Sequence, residues 1–120
     1  MARTAITPTT SAAAGTTLPA SVAVDAANGN QFLNPTGKAI IEITNAGGAS
    51  INATFITNGV YTVGSVQYPV ADLVVAVANG ASKVCGPFDK TLFNDGTGNV
   101  QVDWSSGTSV TARVIEVGAG

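Results

Sequence analysis

From Asn99 to Trp104 the chain alternates strictly, with Val100, Val102 and Trp104 on one parity and Asn99, Gln101 and Asp103 on the other. A period of two buries one face of a strand and wets the other, so this spacing predicts a half-buried β-strand. The same period places Ala39, Ile41 and Ile43 on one face of Lys38 to Thr44, and Ile51, Ala53 and Phe55 on one face of Ser50 to Thr57. Between them, Asn45-Ala46-Gly47-Gly48-Ala49 supplies the residues a tight turn needs for positive φ, and the two segments are expected to pair as a β-hairpin. Asp72 to Ala78 carries apolar residues on both parities, which predicts a strand buried on both sides or packed against a neighbouring subunit. The turn signal Asn79-Gly80 then leads into a strand over Ala81 to Cys85. In the last strand, Ser109 to Val117, the polar parity shifts between Arg113 and Glu116, marking a bulge or a two-sided environment.

Shorter strands are expected at Val22 to Val24 and at Phe32-Leu33, before the Asn34-Pro35-Thr36-Gly37 turn. Thr57 to Pro69, with Asn58-Gly59, Gly64 and Tyr68-Pro69, reads as a long loop with local β-structure. No window predicts an amphipathic helix, and the Ala-rich piece Ser11 to Ala14 is too short to be stable alone. Roughly seven or eight short strands, spaced about ten residues apart, predict an all-β fold: an antiparallel β-sandwich, jelly-roll or Ig-like, over residues 21–120. Residues 1–20 form a compositional segment of their own, in which Pro8 and Pro19 favour extended backbone. They are expected to be an extended N-terminal arm, either disordered or laid along a neighbouring subunit by strand addition. Its partner contacts would come from Arg3, Ile6, Pro8 and Leu18.

Charge narrows the functional classes. The 120 residues suit one domain, and only 10% are charged against 45% hydrophobic. A surface this poor in charge is covered by Thr, Ser, Asn and Gly, which suits assembly contacts where charges would have to be desolvated or paired. The net charge is −2, and Arg3, Lys38, Lys83, Lys90 and Arg113 form no basic run, so neither nucleic acid nor a membrane surface is an expected ligand. The longest apolar stretch, Val70 to Ala78, is far short of the roughly 20 residues that span a bilayer. No signal-peptide pattern opens the sequence, so synthesis in a cytoplasm is expected, and Asn52-Ala53-Thr54 is expected to be a strand segment rather than a glycosylation site.

Candidate chemistry is sparse. The chain has no histidine, which removes the usual triads and dyads, the commonest metal ligand and the usual general base. Cys85, the single cysteine, is expected in the core rather than as a nucleophile, and it rules out an intramolecular disulfide. Asp89, Asp95 and Asp103 could supply a carboxylate pair for glycoside hydrolysis, but their sequence settings favour solvated or capping roles. Asn94-Asp95-Gly96-Thr97-Gly98-Asn99 packs oxygen side chains around glycines yet lacks the spacing and terminal Glu of an EF-hand, so a hairpin turn is expected. Gly96 and Gly98 fail as a phosphate cradle because neither Lys nor helix follows. Trp104, Phe88, Phe93, Phe55 and Phe32 are expected as core or interface anchors. No catalytic, cofactor-binding or metal-binding residue is therefore expected, and the chain is not expected to be an enzyme.

The order of elements in the C-terminal half resembles small virion-associated proteins of tailed bacteriophages, of the capsid decoration or cement kind. The resemblance rests on the apolar strand Leu73 to Ala78, Gly86-Pro87-Phe88, Phe93-Asn94-Asp95-Gly96, Val100-Gln101-Val102 and the closing strand Val110 to Val117. Upstream, Gly37-Lys38-Ala39-Ile40-Ile41 and Asn45-Ala46-Gly47-Gly48-Ala49-Ser50 look like the first half of the same family. The resemblance implies a β-sandwich on the outer capsid surface, stabilising the shell through contacts with the major capsid protein and with copies of itself, as trimers at three-fold positions would. It carries no catalytic residues, and Gly86-Pro87-Phe88 is taken as a structural turn. Alternatives are a tail-tube, head-completion or fibre-associated subunit, or a carbohydrate-binding module, for which Trp104 and Tyr61 or Tyr68 would have to be exposed.

Overall fold

In the computed structural model residues 3–118 are described, with the backbone alone at 60–62 and 68–69. Their strands, in chain order, are β1 (Thr4–Ala5), β2 (Thr9–Thr10), β3 (Val22–Ala23), β4 (Asn30–Leu33), β5 (Ala39–Asn45), β6 (Ile51–Phe55), β7 (Val60–Val63), β8 (Val66–Pro69), β9 (Leu73–Val77), β10 (Ser82–Cys85), β11 (Asn99–Trp104) and β12 (Val110–Glu116). A single helical turn, α1 (Lys90–Phe93), precedes β11. One sheet runs β1-β4-β11-β6-β9, the other β10-β5-β12, with β2 and β3 sharing the outer edge of β12. Among the described residues β7 and β8 pair only with each other.

The alternating parities converge on one core. Phe32, Ala53, Phe55, Val77, Val100, Val102 and Trp104 come from the first sheet, and Ala39, Ile41, Ile43, Cys85, Val110, Ala112 and Val114 from the second. Phe88 sits between them, its ring centroid 4.8 Å from that of Phe55, 5.8 Å from Phe32 and 5.2 Å from Phe93, spacings at which aromatic pairs attract. Gly86 makes this possible: its φ is +114°, and a Cβ there would lie 2.8 Å from the Ala39 carbonyl oxygen.

Four expectations change. The β5–β6 hairpin does not form, because β5 belongs to the second sheet and β6 to the first. Their buried faces are opposite walls of one core, so the glycine-rich connector arches between the sheets, while β5 takes β12 as its neighbour along its whole length. The pairing is mixed rather than wholly antiparallel, since β1 joins β4 and β2 joins β12 in parallel. Parallel neighbours need a long connection, and the chain between β1 and β4 supplies one. β9 is an edge strand, buried at Val77 but open at Leu73 and Val74, rather than buried on both sides. β12 keeps an unbroken register with β5 from Val110 to Glu116, so it has no bulge there. Its parity shift reflects a two-sided environment, because Thr16–Pro19 border a small cleft over the outward-facing Ile115.

Three asparagines, Asn30, Asn34 and Asn45, are fully buried. Asn45 Nδ2 donates to the carbonyls of Ala49 (2.7 Å) and Val77 (3.0 Å), and its Oδ1 accepts from the Gly47 N–H (3.0 Å), which holds the β5–β6 arch against the end of β9. Asn34 Oδ1 accepts from the Ala39 N–H (3.1 Å), while its Nδ2 donates to the Phe88 carbonyl (2.9 Å) and to Asn94 Oδ1 (3.0 Å). Asn30 Oδ1 accepts from Trp104 Nε1 (2.8 Å) and the Asp25 N–H (2.9 Å), and its Nδ2 donates to the Thr4 carbonyl (3.0 Å). Removing such a hub leaves several backbone groups without partners, each costing about 1–3 kcal/mol. Asn34→Ala and Asn45→Ala are each expected to lower the unfolding free energy by about 2–4 kcal/mol in urea denaturation. A loss below about 1 kcal/mol would remove the hub role.

Candidate interaction surface

The segment between β6 and β9 is built as a bent ribbon. β6 and β9 pair down to Phe55 opposite Leu73, and β7 and β8 resume the pairing from Val60 opposite Pro69 to Val63 opposite Val66, closing on Gly64-Ser65. At the bend, residues 56–59 face only 70–72, and the extra residue turns the ribbon as a bulge does. Asp72 Oδ1 accepts from the Thr57 N–H (2.9 Å), and Thr57 Oγ1 donates to the Val70 carbonyl. On the other side the N–H groups of Asn58 (2.6 Å) and Gly59 (3.1 Å) donate to the Leu92 carbonyl, and Asn58 Nδ2 donates to that of Phe93 (3.1 Å). Gly59 is required for this docking on α1, since a Cβ would lie 2.7 Å from the Thr91 carbonyl oxygen.

Beyond the bend the ribbon carries Val63 and Val66, 54% and 50% exposed. The adjoining edge strand β9 exposes Leu73 (43%) and Val74 (56%). No charged residue occurs from Ile43 to Ala71, nor from Leu73 to Ser82; the intervening Asp72 is engaged by Thr57. The outer face of the first sheet continues this neutrality. Gln31, Leu33, Asn99, Gln101, Asn52 and Thr54 lie on the parity opposite the buried Phe32, Val100, Val102, Ala53 and Phe55; of the two carboxylates at that face, Asp103 is paired with Arg3 at 2.7 Å and Asp95 accepts from Gln101 Nε2 at 3.3 Å.

The residues expected as N-terminal contacts are mostly used within the chain. Arg3 binds Asp103 and also donates to the Val102 carbonyl (3.1 Å), and Ile6 is buried in the core. Pro8 is half-buried beside Leu33, Pro35 and Glu116, whereas Leu18 is exposed. Thr4, Ile6, Pro19, Val22, Arg113 and Val114 help to line a groove of about 440 Å³. Arg113 pairs with Glu42 (2.6 Å) and donates to the Pro19 carbonyl (3.3 Å), tying this segment to the second sheet.

The candidate carboxylates are held apart by separate tasks. Asp89 caps α1, accepting from the Thr91 hydroxyl (2.6 Å) and N–H (2.8 Å), and these bonds hold its pKa below the ordinary 3.8. Asp95 orders its turn: partial burial opposes its ionisation, but bonds from the Asn99 N–H and from the Thr97 hydroxyl and N–H outweigh that and lower its pKa. Asp25 is lowered chiefly by the Thr4 hydroxyl (2.6 Å) and then by Asn28. Burial pushes the Cys85 thiol up, countered by Lys83. Among the described residues no three Asp, Glu or Cys side chains gather as metal ligands. Trp104 lies in the core, and the side chains of Tyr61 and Tyr68 lie outside the described residues.

Sequence reasoning read 57–69 as a long loop with local β-structure and did not resolve that structure as the β7–β8 ribbon. Its signal was Gly64-Ser65 flanked by Val63 and Val66, a two-residue hairpin pattern with glycine first. A group with a depressed folded pKa stabilises the fold above its unfolded value, and that contribution is lost as pH falls through the folded value. Asp25, Asp89 and Asp95 therefore predict a thermal midpoint that is flat from pH 7 to about pH 5 and falls below about pH 4, with no histidine to add a transition between. Scanning calorimetry across that range tests it, and a midpoint that moves between pH 5 and 7 contradicts it. Compared with protein-family models, with curated proteins and with solved structures, the chain has no match.

Proposed function

We propose that this protein is a non-catalytic structural subunit of a bacteriophage virion that binds the outer surface of the capsid and stabilises it. One observation carries the reading: the outer face of the first sheet is mainly uncharged and polar, with its Asp103 paired with Arg3 and the bordering Asp95 carboxylate engaged by Gln101 and by its own turn. Docking such a face strips few charges of water, so shape and hydrogen bonding set its affinity. The resemblance to decoration and cement proteins supplies the partner, the major capsid protein, and the two-sheet domain is taken as a jelly-roll or Ig-like sandwich. A ligand that binds only the assembled lattice stabilises it by mass action, and many copies on one symmetric shell add avidity where they also touch each other. The N-terminal segment contributes to attachment through the exposed Leu18. The carbohydrate-binding alternative loses its tryptophan platform, because Trp104 is buried and donates to Asn30.

Electron microscopy of virions with and without the protein tests the reading, with added density expected at lattice positions on the shell. Density confined to the tail refutes it. Asn52→Lys, at an exposed position of the first sheet's outer face, is expected to weaken capsid binding at least about tenfold with an unchanged thermal midpoint, since one uncompensated charge in a contact costs about 1.4 kcal/mol or more. Unchanged binding by that variant would move the contact to another face.

A further inference from the structure

We propose that the free edge of β9, together with the projecting β7–β8 ribbon, is a self-association surface that joins two copies of this chain about a two-fold axis. The β9 edges would pair antiparallel and make one continuous sheet from the two first sheets.

The starting point is the unequal treatment of the sheet edges. Natural proteins protect an edge strand by shortening it, by placing a charge that points inward, or by covering it. The opposite edge of the first sheet ends in β1, only two residues long. The outer edge of β12 is covered by β2 and β3. β10 carries Lys83 on the same parity as the buried Cys85, the inward-directed charge that discourages strand addition. β9 has none of these devices: Leu73-Val74-Val75-Ala76-Val77 is uncharged, free of proline and, among the described residues, unpaired along its outer side.

The occupant follows from charge and shape. In a two-fold contact every residue meets its own symmetry mates, so a charge near the axis faces a like charge. The surface from Ile43 to Ser82 carries a single charged residue, Asp72, turned into the bend of its own ribbon by Thr57. Lys83 belongs to the other sheet, about 10 Å away by the usual spacing of packed sheets. With the axis at Val75, Leu73 lies opposite Val77 of the second copy and Val74 opposite its Ala76, pairing a larger side chain with a smaller one. Leu73 shares the parity of the partly buried Val75 and the buried Val77 but is left 43% exposed, and this pairing covers it. A five-residue strand spans only about 17 Å, too little for the roughly 800 Å² per partner of a stable interface. The ribbons make up the difference. Each leaves the Leu73 end of its own β9, which the antiparallel arrangement places beside the Val77 end of the other. A two-stranded ribbon is marginal in water on its own, and Val63 and Val66 gain cover by lying against the second copy.

This proposal stands apart from the capsid reading, because it is tested on the purified chain without capsids. Sedimentation equilibrium from about 5 to 500 μM is expected to show a monomer–dimer equilibrium, a range that brackets ordinary micromolar affinities. Val74→Lys and the double variant Val63→Lys/Val66→Lys are each expected to raise the dissociation constant at least tenfold. Val84→Lys, an exposed valine on the outer face of the other sheet, should leave it unchanged. Val75→Cys, which meets itself at the axis, is expected to cross-link into a dimer under mild oxidation, while the parent chain, whose Cys85 is buried, does not. A chain that stays monomeric throughout, or a dimer indifferent to both charge variants, overturns the proposal. Loss of capsid binding in Val74→Lys with a monomeric parent would assign the edge to the capsid protein instead, which also overturns it.

Discussion

A domain made of two sheets must carry its chain from one to the other, and each crossing brings backbone N–H and C=O groups to the rim of an apolar core. Those groups need partners, because an unpaired buried amide costs about as much as a large truncation of the core. Asn34 and Asn45 meet that constraint here. Asn45 closes the arch from β5 to β6 and ties it to β9, and Asn34 joins the turn after β4 to α1 and to the start of β5. Each uses both amide hydrogens and its carbonyl oxygen, so its side chain is fixed from several directions at once. Asn30 performs the same task for the N-terminal segment, fastening the Thr4 carbonyl to the indole of Trp104. The core residues supply the driving force, but these amides decide which strand may follow which.

The scarcity of charge has a complementary consequence. Only two ion pairs occur among the described residues, and both help to hold the N-terminal segment: Arg3 reaches Asp103 from within it, and Arg113, paired with Glu42, grips the Pro19 carbonyl. Exposed pairs of this kind contribute little stability each. Their effect here is positional, because β1 and β2 are two residues long and could not hold their places by ladder bonds alone. The rest of the surface is left to amides and hydroxyls, which can make a contact without leaving a charge stranded.

Much of this was legible in the sequence, and the failures have a common cause. Parity located β5, β6 and β11 to within about two residues, because burial of one face leaves a period of two that survives any topology, and apolar content with turn signals located β9, β10 and β12 as closely. Parity also placed Trp104 in the core, and the usual burial of free cysteine assigned Cys85 there. What parity cannot carry is the identity of a strand's neighbour. The connector Asn45 to Ala49 has hairpin composition, yet the same residues serve an arch, since Gly and Asn report a change of direction and not whether the chain stays in its sheet. The buried asparagines were hidden for the same reason, as Asn30 follows Gly29, Asn34 precedes Pro35 and Asn45 lies two residues before Gly47, so that each looks like a turn residue. α1, capped by Asp89, is a single turn and too short to leave a helical period. For the N-terminal segment composition indicated extended backbone, and it could not indicate that Thr4–Ala5 and Thr9–Thr10 pair with strands distant in the same chain.

The ribbon and β9 differ from the rest in a way that burial does not explain. Where this chain exposes a strand edge elsewhere, it shortens the strand, covers it or adds a lysine. Selection for a soluble monomer would act on every edge alike, since any one unprotected edge suffices for aggregation. Leaving one edge bare, uncharged and continuous with an apolar-tipped ribbon is therefore informative: protection was available to this fold and is absent at the place where a pairing partner would have to enter. The same neutrality that makes the outer face of the first sheet cheap to dock makes this edge open to a strand. Even with only 10% charged residues, this chain places Lys83 on its exposed β10 edge and leaves β9 without a charge.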